Sequence, residues 1–360
     1  MRPTSNSRPT AGWGESVPGE GETLPKATPY QIVLAAMVGA AALAASARSA
    51  TFYVNNLVGH DRYDGRAYSA QGSGVGPVKS VQTAIRRAQS GDVVVLLPTG
   101  APYTEPIVVP ARSGLGAPGH PLTIEGNGVE LVGFRPIDPY HWDYASQGVY
   151  RLRRPFQPTG VLFSLSGALR RKSCELWGPM PSLERGEYAF WAGRYYVRPA
   201  RPFGIADYAL AESFAPAGVV VDRTSHVVIR NLRIRGFRED AVQVKGPAEG
   251  VRIERCLLAE NGRAGFSATT NTSVDMVGCF VTGNVKFGLV AENHARLTLE
   301  SCVVEANGRE SRMDDTASVQ RRGGPPEPLR PGPFLAPEHW DRAEPPLDLT
   351  LPEEVRPTEP

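Results

Sequence analysis

The sequence predicts an all-β protein built as a parallel β-helix with coils of about 23 residues, a period in the range of repeat architectures. The first observation is a repeat, because cysteine and asparagine each recur at a constant step along the chain. The repeated residues, each at a step of 23, are Cys256, Cys279 and Cys302, and Asn261, Asn284 and Asn307. The earlier stretch 227–234 fits the same pattern at a step of 24. A fixed period of this kind indicates that each repeat is one structural unit.

The second observation is the composition of one repeat. Each repeat contains short runs of β-branched and apolar residues separated by Asn-Gly, Gly or Pro, which is typical of strands and turns. No helix-length 3.6-residue pattern lies inside a repeat, and the leucine-rich consensus is missing. Equivalent residues of successive coils should therefore stack about 4.8 Å apart. The predicted inward columns are Val251, Val274 and Leu297, and Ile253, Met276 and Leu299.

The repeated polar and thiol side chains also fit a solenoid. We expect the asparagines to form a ladder at one turn, in which each amide bonds to the neighbouring coil, and Asn tolerates the left-handed conformation of such turns. Neighbouring coils lie within disulfide range, but an inward column of free thiols is the commoner outcome, because free Cys behaves as a small buried hydrophobe. Four cysteines in 360 residues do not make a disulfide scaffold.

The composition suffices for one solenoid domain with tails. Hydrophobic residues make up 41% of the chain, and the formal net charge is +2. There is no basic run, nucleic-acid motif or zinc-like Cys/His spacing, so we expect no nucleic-acid partner and no zinc site. We expect a monomer.

The N-terminal part predicts export. Residues 1–29 are polar, rich in Pro, Gly and Glu, and are predicted to be disordered. Residues 30–50 contain an Ala-rich apolar run that ends in an A-x-A pattern, which indicates a signal peptide. A retained membrane anchor is the alternative, since the run is barely long enough to span a bilayer. A start codon assigned too early is the third interpretation. All three place the chain from Thr51 onward outside the cytoplasm, in a secreted, periplasmic or cell-surface location.

Residues 51–133 are predicted to form an N-terminal cap and the first coils. Apolar residues at 81, 84, 85 and 88 have the spacing of one amphipathic helix, with Ser80 as N-cap and Gly91 as C-terminal stop. Such a helix would cover the open first coil of a solenoid. Asp61 and Asp64 are interpreted as turn-forming residues rather than calcium ligands.

This region also carries a resemblance. The segments TFYVNNLVGHDRYDG, GPVKSVQTAIRRAQSGDVVVLLPTGAPYTEPIVV and HPLTIEGNGVELVG resemble the N-terminal cap and first coil of right-handed parallel β-helix proteins of the pectate-lyase-like superfamily. Together with the repeats, the resemblance covers most of 51–308. It implies a right-handed solenoid. It leaves the function open, because that superfamily contains polysaccharide lyases, glycoside hydrolases, epimerases and non-catalytic surface proteins. The loop at 98–103 departs from the tighter Pro-Gly-x-Tyr of the family.

The remaining boundaries follow from where the repeat is interrupted. Residues 134–216 do not repeat, are rich in Trp, Tyr, Arg and Pro, and predict a β-rich insertion with a hairpin turn near Ala192 and Gly193. Its aromatic residues are expected mainly as the core of the insertion, with sugar stacking as the alternative. Residues 217–308 form the predicted β-helix coils, and 309–360 are predicted to be a disordered, Pro-rich tail.

The candidate binding residues lie just after the asparagine ladder. Arg263, Lys286 and Arg309 share one position at a step of 23, and Glu239, beside Asp240, takes that position one coil earlier. Like charges about 4.8 Å apart repel by on the order of 1 kcal/mol per pair even in water. A column of this kind is favourable when an anion such as a uronic-acid carboxylate lies across it. The alternative is a solvated basic face without a ligand.

The candidate catalytic residues are Lys245 and Lys286, with His294 as a weaker base. A uronide lyase needs a base to remove the C5 proton and a cation, either calcium or Arg/Lys, to neutralise the adjacent carboxylate. Arg263, Arg309, Glu239 and Asp240 are assigned to substrate binding. The sequence names no protein metal ligand, and the cofactor stays open, with calcium as the candidate.

Two functions remain from the sequence alone. The first is an exported protein that binds or acts on polysaccharide, in the manner of a lyase on acidic substrates. The second is a non-catalytic surface or glycan-binding solenoid. The predicted solenoid is short, with roughly four clear coils after the capped start. This shortness and the lack of clustered aspartates favour the second function, while the resemblance and the basic column support the first.

Overall fold

The computed structural model describes residues 49–153, 161–164, 169–172, 174, 178–200, 205 and 209–324. The predicted disordered segment 1–29 and the apolar run that ends at residue 47 lie outside the described residues, as does 325–360. Within the described ranges, no helix has the length and apolar character needed to cross a membrane.

The first coils contain one helix and five strands. Helix α1 spans Val81–Arg87 and is capped by Ser80, whose hydroxyl accepts a hydrogen bond from the Thr83 N–H. The apolar face of α1 lies in the main hydrophobic core, so the predicted amphipathic spacing is realised there. The strands are β1 (Thr51–Val54), β2 (Val93–Leu96), β3 (Ile107–Val109), β4 (Leu122–Glu125) and β5 (Glu130–Val132).

The insertion follows β5 and contains eight strands among its described residues. They are β6 (Phe134–Pro136), β7 (Trp142–Ser146), β8 (Val149–Leu152), β9 (Leu162–Ser164), β10 (Arg170–Arg171), β11 (Glu187–Trp191), β12 (Arg194–Arg198) and β13 (Leu210–Ser213). A 3-10 turn at Pro139–His141 precedes β7.

The later coils contain fourteen strands in the described part of the chain. They are β14 (Ala217–Asp222), β15 (Val227–Arg230), β16 (Arg233–Arg235), β17 (Asp240–Lys245), β18 (Ala248–Glu254), β19 (Leu257–Ala259), β20 (Ala264–Thr269), β21 (Thr272–Val277), β22 (Phe280–Thr282), β23 (Phe287–Glu292), β24 (Arg296–Glu300), β25 (Val303–Glu305), β26 (Ser311–Met313) and β27 (Ser318–Arg322).

Three parallel sheets run along the solenoid, and each complete coil contributes one strand to each of them. Sheet A has the order β1-β2-β4-β15-β18-β21-β24-β27, sheet B the order β5-β16-β19-β22-β25, and sheet C the order β3-β14-β17-β20-β23-β26. Sheet A pairs Val228 with Arg252 at a step of 24 and Val274 with Leu297 at a step of 23. Leu297 pairs with Val319 at a step of 22. The predicted parallel β-helix is therefore confirmed, and its coil length agrees with the period of the repeat.

The inward columns match the predicted register. Val251 pairs with Val274, and Ile253 pairs with Met276. These residues belong to one continuous core that extends from the first strands to the last described coils. Cys256 and Cys279 are buried, Cys302 is partly exposed, and all three are free thiols. The predicted unbonded cysteine column is thus confirmed.

The asparagine ladder is present at the turn from sheet B to sheet C. The Asn284 side-chain oxygen accepts hydrogen bonds from the Asn261 N–H at 3.0 Å and from the Asn261 amide at 2.9 Å. The Asn284 amide donates to the Asn307 side-chain oxygen at 2.8 Å. The ladder differs from the expectation in one detail. The left-handed conformation falls on the residue before each asparagine, which is Glu260, Gly283 or Ala306.

The insertion also lies at the turn from sheet B to sheet C, in an earlier coil than those that carry the ladder. The predicted hairpin is present, since β11 and β12 pair antiparallel around Ala192 and Gly193, which both have positive φ. Several described aromatic side chains of the insertion are buried in its own core, including Tyr188, Tyr195 and Trp142. These buried residues build the core of the insertion, as predicted. Trp177 lies outside the described residues.

The solenoid continues beyond its predicted end. Strand β26 pairs with β23, and β27 pairs with β24, so the chain forms a further partial coil after Gly308. The prediction of disorder from residue 309 is therefore wrong for 309–324. Its cause is the composition of this coil: polar residues such as Arg321 and Arg322 replace the apolar alternation that marks the earlier strands.

Candidate functional site: the outer face of sheet C

The outer face of sheet C carries a polar cluster that is sheltered from solvent. Val242 and Val244 of β17 belong to the solenoid core, so the intervening Gln243 points to the outer face. The Gln243 amide donates to the Asp240 carboxylate at 2.8 Å, which places Asp240 on the same face. Ser267 occupies the Gln243 position on the next coil. All three residues are buried although they face outward.

Asp240 is the centre of this cluster. Its Oδ1 accepts hydrogen bonds from the Arg263 Nε at 2.8 Å and from the Ala264 N–H at 3.1 Å. Its Oδ2 accepts from the Ser267 hydroxyl at 2.7 Å, from Gln243, and from the Arg263 Nη2. We call Asp240, Gln243, Arg263 and Ser267 the Asp240 cluster. Its carboxylate accepts hydrogen bonds from all of these groups within the protein, so Asp240 orients Arg263, and its role in substrate binding stays a prediction.

Arg263 is therefore not a free cation. Its hydrogen bonds to Asp240 raise the pKa of the Arg263 guanidinium above its ordinary value, and burial only partly opposes this effect. The bidentate geometry fixes the planar guanidinium. Because the Asp240 side chain is fully buried, removing Arg263 would leave a buried charge uncompensated, whereas the partly exposed Arg263 would keep contact with water. The predicted column of like charges is neutralised at this coil.

The stacking of the predicted residues is otherwise as expected. The Arg263 N–H donates to the Glu239 carbonyl at 2.7 Å, and the Lys286 N–H donates to the Arg263 carbonyl at 3.2 Å. Lys286 and Arg309 are exposed, and among the residues that the structure describes neither forms an ion pair. Glu239 lies 3.8 Å from the Arg238 guanidinium. The free cations of this position are thus Lys286 and Arg309.

Lys245 lies elsewhere. It ends β17 and pairs with Thr269, at the opposite end of the strand from Asp240. Five residue steps at about 3.3 Å separate these two positions by roughly 17 Å. The structure therefore does not bring together the two lysines predicted to be catalytic. His294 lies in the turn after sheet C, with a positive φ and its N–H bonded to the Thr316 hydroxyl.

The far edge of the face has mixed charge. Lys245 follows Asp222 and precedes Thr269 and Glu292 in one column of paired residues. Glu292 forms an ion pair with Arg312 at 3.0 Å. The exposed cations Lys286 and Arg309, which form no ion pair in the described part of the chain, therefore lie at the other end of the strands.

Sequence reasoning missed Gln243 and Ser267. They occupy equivalent places on adjacent coils, each at the one outward position between two inward apolar residues, and that recurrence was the available signal. Their burial could not be inferred, since an outward polar residue on a solenoid is ordinarily solvated.

The described part of the chain contains no group of three His, Cys, Asp or Glu side chains arranged to hold a metal ion. The aspartates of the N-terminal cap accept backbone hydrogen bonds. Asp61 accepts hydrogen bonds from the Lys79 and Ser80 N–H groups at 3.0 and 2.8 Å. Asp64 accepts from the Arg66 N–H at 2.9 Å and the Gly76 N–H at 3.2 Å. Asp64 matches the turn-forming role predicted for it, because it bonds to the residue two positions on, whereas Asp61 bonds to the residues that precede α1.

Comparison with known families identifies the handedness. Residues 217–320 match the family described as "Right handed beta helix region". This part of the chain is a right-handed parallel β-helix. The match begins at β14 and ends inside β27, so it covers the coils that carry the ladder and the Asp240 cluster. No curated protein sequence matches this chain.

Several solved structures are similar to this β-helix. One is "The complex structure of XylC with xylose", at 11% identity and a TM-score of 0.42, covering 76% of this chain and 65% of that one. A "Glycoside hydrolase" has 11% identity and a TM-score of 0.48, covering 72% of this chain and 74% of that one. The pectate lyase Pel9A has 13% identity and a TM-score of 0.36, covering 76% of this chain and 58% of that one. This chain thus spans just under two thirds of the first structure, and the likeness concerns fold alone.

Proposed function

We propose that this protein binds polysaccharide on the outer face of sheet C, at the end of the strands where Arg263, Lys286 and Arg309 follow the ladder. The observation that supports this most is the Asp240 cluster, which fixes one guanidinium on that face. Lys286, exposed and without an ion pair in the described part of the chain, stacks next to it.

The physical argument rests on preorganisation. Two of the guanidinium nitrogens of Arg263, Nε and Nη2, are held by Asp240, which leaves Nη1 for a ligand. A donor that is already fixed loses little side-chain entropy on binding. Lys286 and Arg309 add mobile cations nearby, so the site suits a glycan that carries carboxylates as well as hydroxyls. The free-energy cost of fixing the Arg263 side chain is offset by its bonds to Asp240, so it does not reduce the affinity for the ligand.

Binding is a better-supported proposal than catalysis. Elimination from a uronide needs a base and a neutralising cation close together. Lys245 is roughly 17 Å along the strand from this end, so Lys286 is the remaining candidate base. Lys286 and Arg263 are neighbours on adjacent coils. A lyase activity therefore stays the second candidate function, with Lys286 as base.

The binding proposal can be tested with polygalacturonate and its methyl-esterified, neutral form as probes. Replacing both Lys286 and Arg309 by Ala should weaken polygalacturonate binding about tenfold, since each exposed charge contact contributes on the order of 0.2–1 kcal/mol. The matched control is Arg252→Ala with Arg296→Ala, two exposed cations on sheet A. Equal binding by the two double variants, or no binding by the parent, would contradict the proposal.

The catalytic alternative has a separate readout. Unsaturated uronide products absorb in the ultraviolet, so their formation can be followed directly with the parent protein. If elimination occurs, Lys286→Ala should abolish it, while Lys245→Ala should leave it nearly intact. Loss with Lys245→Ala alone would place the base at the other end of the strand.

We also propose that the protein is exported, on the basis of the apolar run in residues 30–50. Cell fractionation and N-terminal sequencing of the mature protein test this. A chain recovered from the cytoplasm with Met1 intact would overturn it, and a membrane-bound chain with Met1 intact would favour the anchor.

A further inference from the structure

One exposed aromatic residue stands beside the proposed binding face. Phe214 leaves 56% of its surface exposed and lies three residues before β14, the strand of sheet C that neighbours β17. The orientation of its ring is fixed by a neighbouring side chain. The Arg135 guanidinium lies over one face of the ring, 4.2 Å from its centroid.

A buried charge holds that arrangement in place. The Arg135 Nε donates to Glu212 Oε1 at 3.0 Å, and the Glu212 side chain is fully buried. The Phe214 N–H donates to the Gly133 carbonyl at 2.7 Å, which fixes the backbone as well. A single exposed apolar residue is ordinary on a protein surface. A ring backed by a guanidinium that is itself held by a buried carboxylate is a built feature, with one face closed and the other open.

The position of Phe214 relates it to the basic residues. The next residue, Ala215, accepts the Arg238 N–H through its carbonyl at 2.8 Å, and Pro216 accepts the Glu239 N–H at 2.8 Å. Glu239 begins the column that continues through Arg263 to Lys286. Phe214 therefore lies on the same turn as this column, one coil nearer the N-terminus.

We propose that Phe214 is a stacking platform for a sugar ring of the bound polysaccharide. This inference rests on the proposed function, because it supplies the apolar subsite of the same face. The C–H face of a pyranose is apolar and packs against an aromatic ring through dispersion and the removal of apolar surface from water. The Arg135 side of the ring is occupied, so the sugar uses the opposite face. A glycan chain placed there extends along the column toward Lys286.

Stacking and charge predict different responses. Phe214→Ala should weaken binding of polygalacturonate and of its methyl-esterified form by a similar factor, on the order of tenfold, with little dependence on salt. Phe214→Trp should bind at least as well as the parent. Phe214→Leu, which keeps apolar volume but lacks the ring, should behave like Phe214→Ala. The Lys286→Ala, Arg309→Ala variant should instead affect the acidic form alone.

The matched control removes another exposed aromatic residue. Tyr140 is 85% exposed in the 3-10 turn of the insertion, and Tyr140→Ala should leave both affinities unchanged. Thermal melts of all variants show whether each one is folded. If the parent binds and responds to the loss of Lys286 and Arg309 but not to Phe214→Ala, this inference alone is overturned. It is also overturned if Phe214→Leu binds like the parent. A parent that binds neither form overturns the proposed function together with it.

Discussion

The coils and the insertion are stabilised by partners at very different distances along the chain. In the coils, paired residues follow a nearly constant step, as in Val274 with Leu297. In the insertion the steps vary, since Tyr196 pairs with Arg151, and Ser213 with Phe134. A constant step makes each residue part of a column, so a change is felt by the coils on both sides. In the insertion each pair has its own sequence separation, so the pairs do not form columns.

The two regions also fill their interiors differently. The solenoid core is a continuous stack of mainly aliphatic side chains and cysteines. The insertion uses aromatic rings in edge contacts, such as Phe190 with Tyr195 at 5.4 Å and 72°. A column of similar side chains continues from one coil to the next, whereas the aromatic core ends within the insertion. A destabilising substitution in the solenoid should therefore also affect neighbouring coils, whereas one in the insertion should affect the insertion alone.

The largest expected effect comes from a charge in the cysteine column. Cys279 is fully buried, and burial raises the pKa of its thiol well above the ordinary value. Cys279→Arg should destabilise the coils by at least about 4 kcal/mol, because an unpaired charge would be buried. Ser273→Arg, on an exposed position of the preceding strand, is the control and should change little. Thermal unfolding measures both, and similar melting temperatures would refute the register.

A smaller and confined effect is expected in the insertion. Tyr195 is fully buried, and Tyr195→Ala should cost about 3–5 kcal/mol within that unit through loss of the ring. Hydrogen exchange should then show loss of protection in β11 and β12, with β20 and β23 nearly unaffected. Equal loss of protection in both regions would mean that the insertion and the coils unfold together, and the contrast between them would not hold.

The ladder gives an intermediate test within the coils. Asn284→Ala removes the acceptor of two bonds from Asn261 and should cost about 1–3 kcal/mol, because the Asn261 N–H would be left buried without a partner. Asn307→Ala, at the partly exposed end of the ladder, should cost less. Urea unfolding of the two variants compares them. A larger loss at Asn307 would show that the end of the ladder supports the last coil.

The same contrast explains what the sequence could predict. The neighbours of Cys279 and Asn284 follow from a step of 23, so their columns were predictable without a structure. The partner of Arg263 was not. Its backbone stacks on Glu239, but its long side chain reaches one residue further to Asp240, and a backbone register does not specify that diagonal contact. Phe214 was missed because nothing repeats at its position, and its fixed ring depends on Arg135, at the opposite end of the insertion sequence.

The smallest expected effect concerns the N-terminal cap, which precedes the repeats, and arises at the N-terminus of α1. Burial raises the pKa of the Asp61 carboxyl, but hydrogen bonds from Ser80 and Lys79 outweigh it and hold the pKa below its ordinary value of 3.8. A depressed pKa means stability that is present above pH 3.8 and is lost as the pH falls through the lowered pKa. Asp61→Asn keeps the acceptor oxygen but removes the negative charge near the helix N-terminus, which contributes about 0.3–1 kcal/mol at an exposed site. The variant should therefore be slightly less stable than the parent at pH 7, and the gap should close on acidification. Urea unfolding at a series of pH values measures this gap. A gap that stays constant or widens in acid would show that the Asp61 charge does not stabilise the cap.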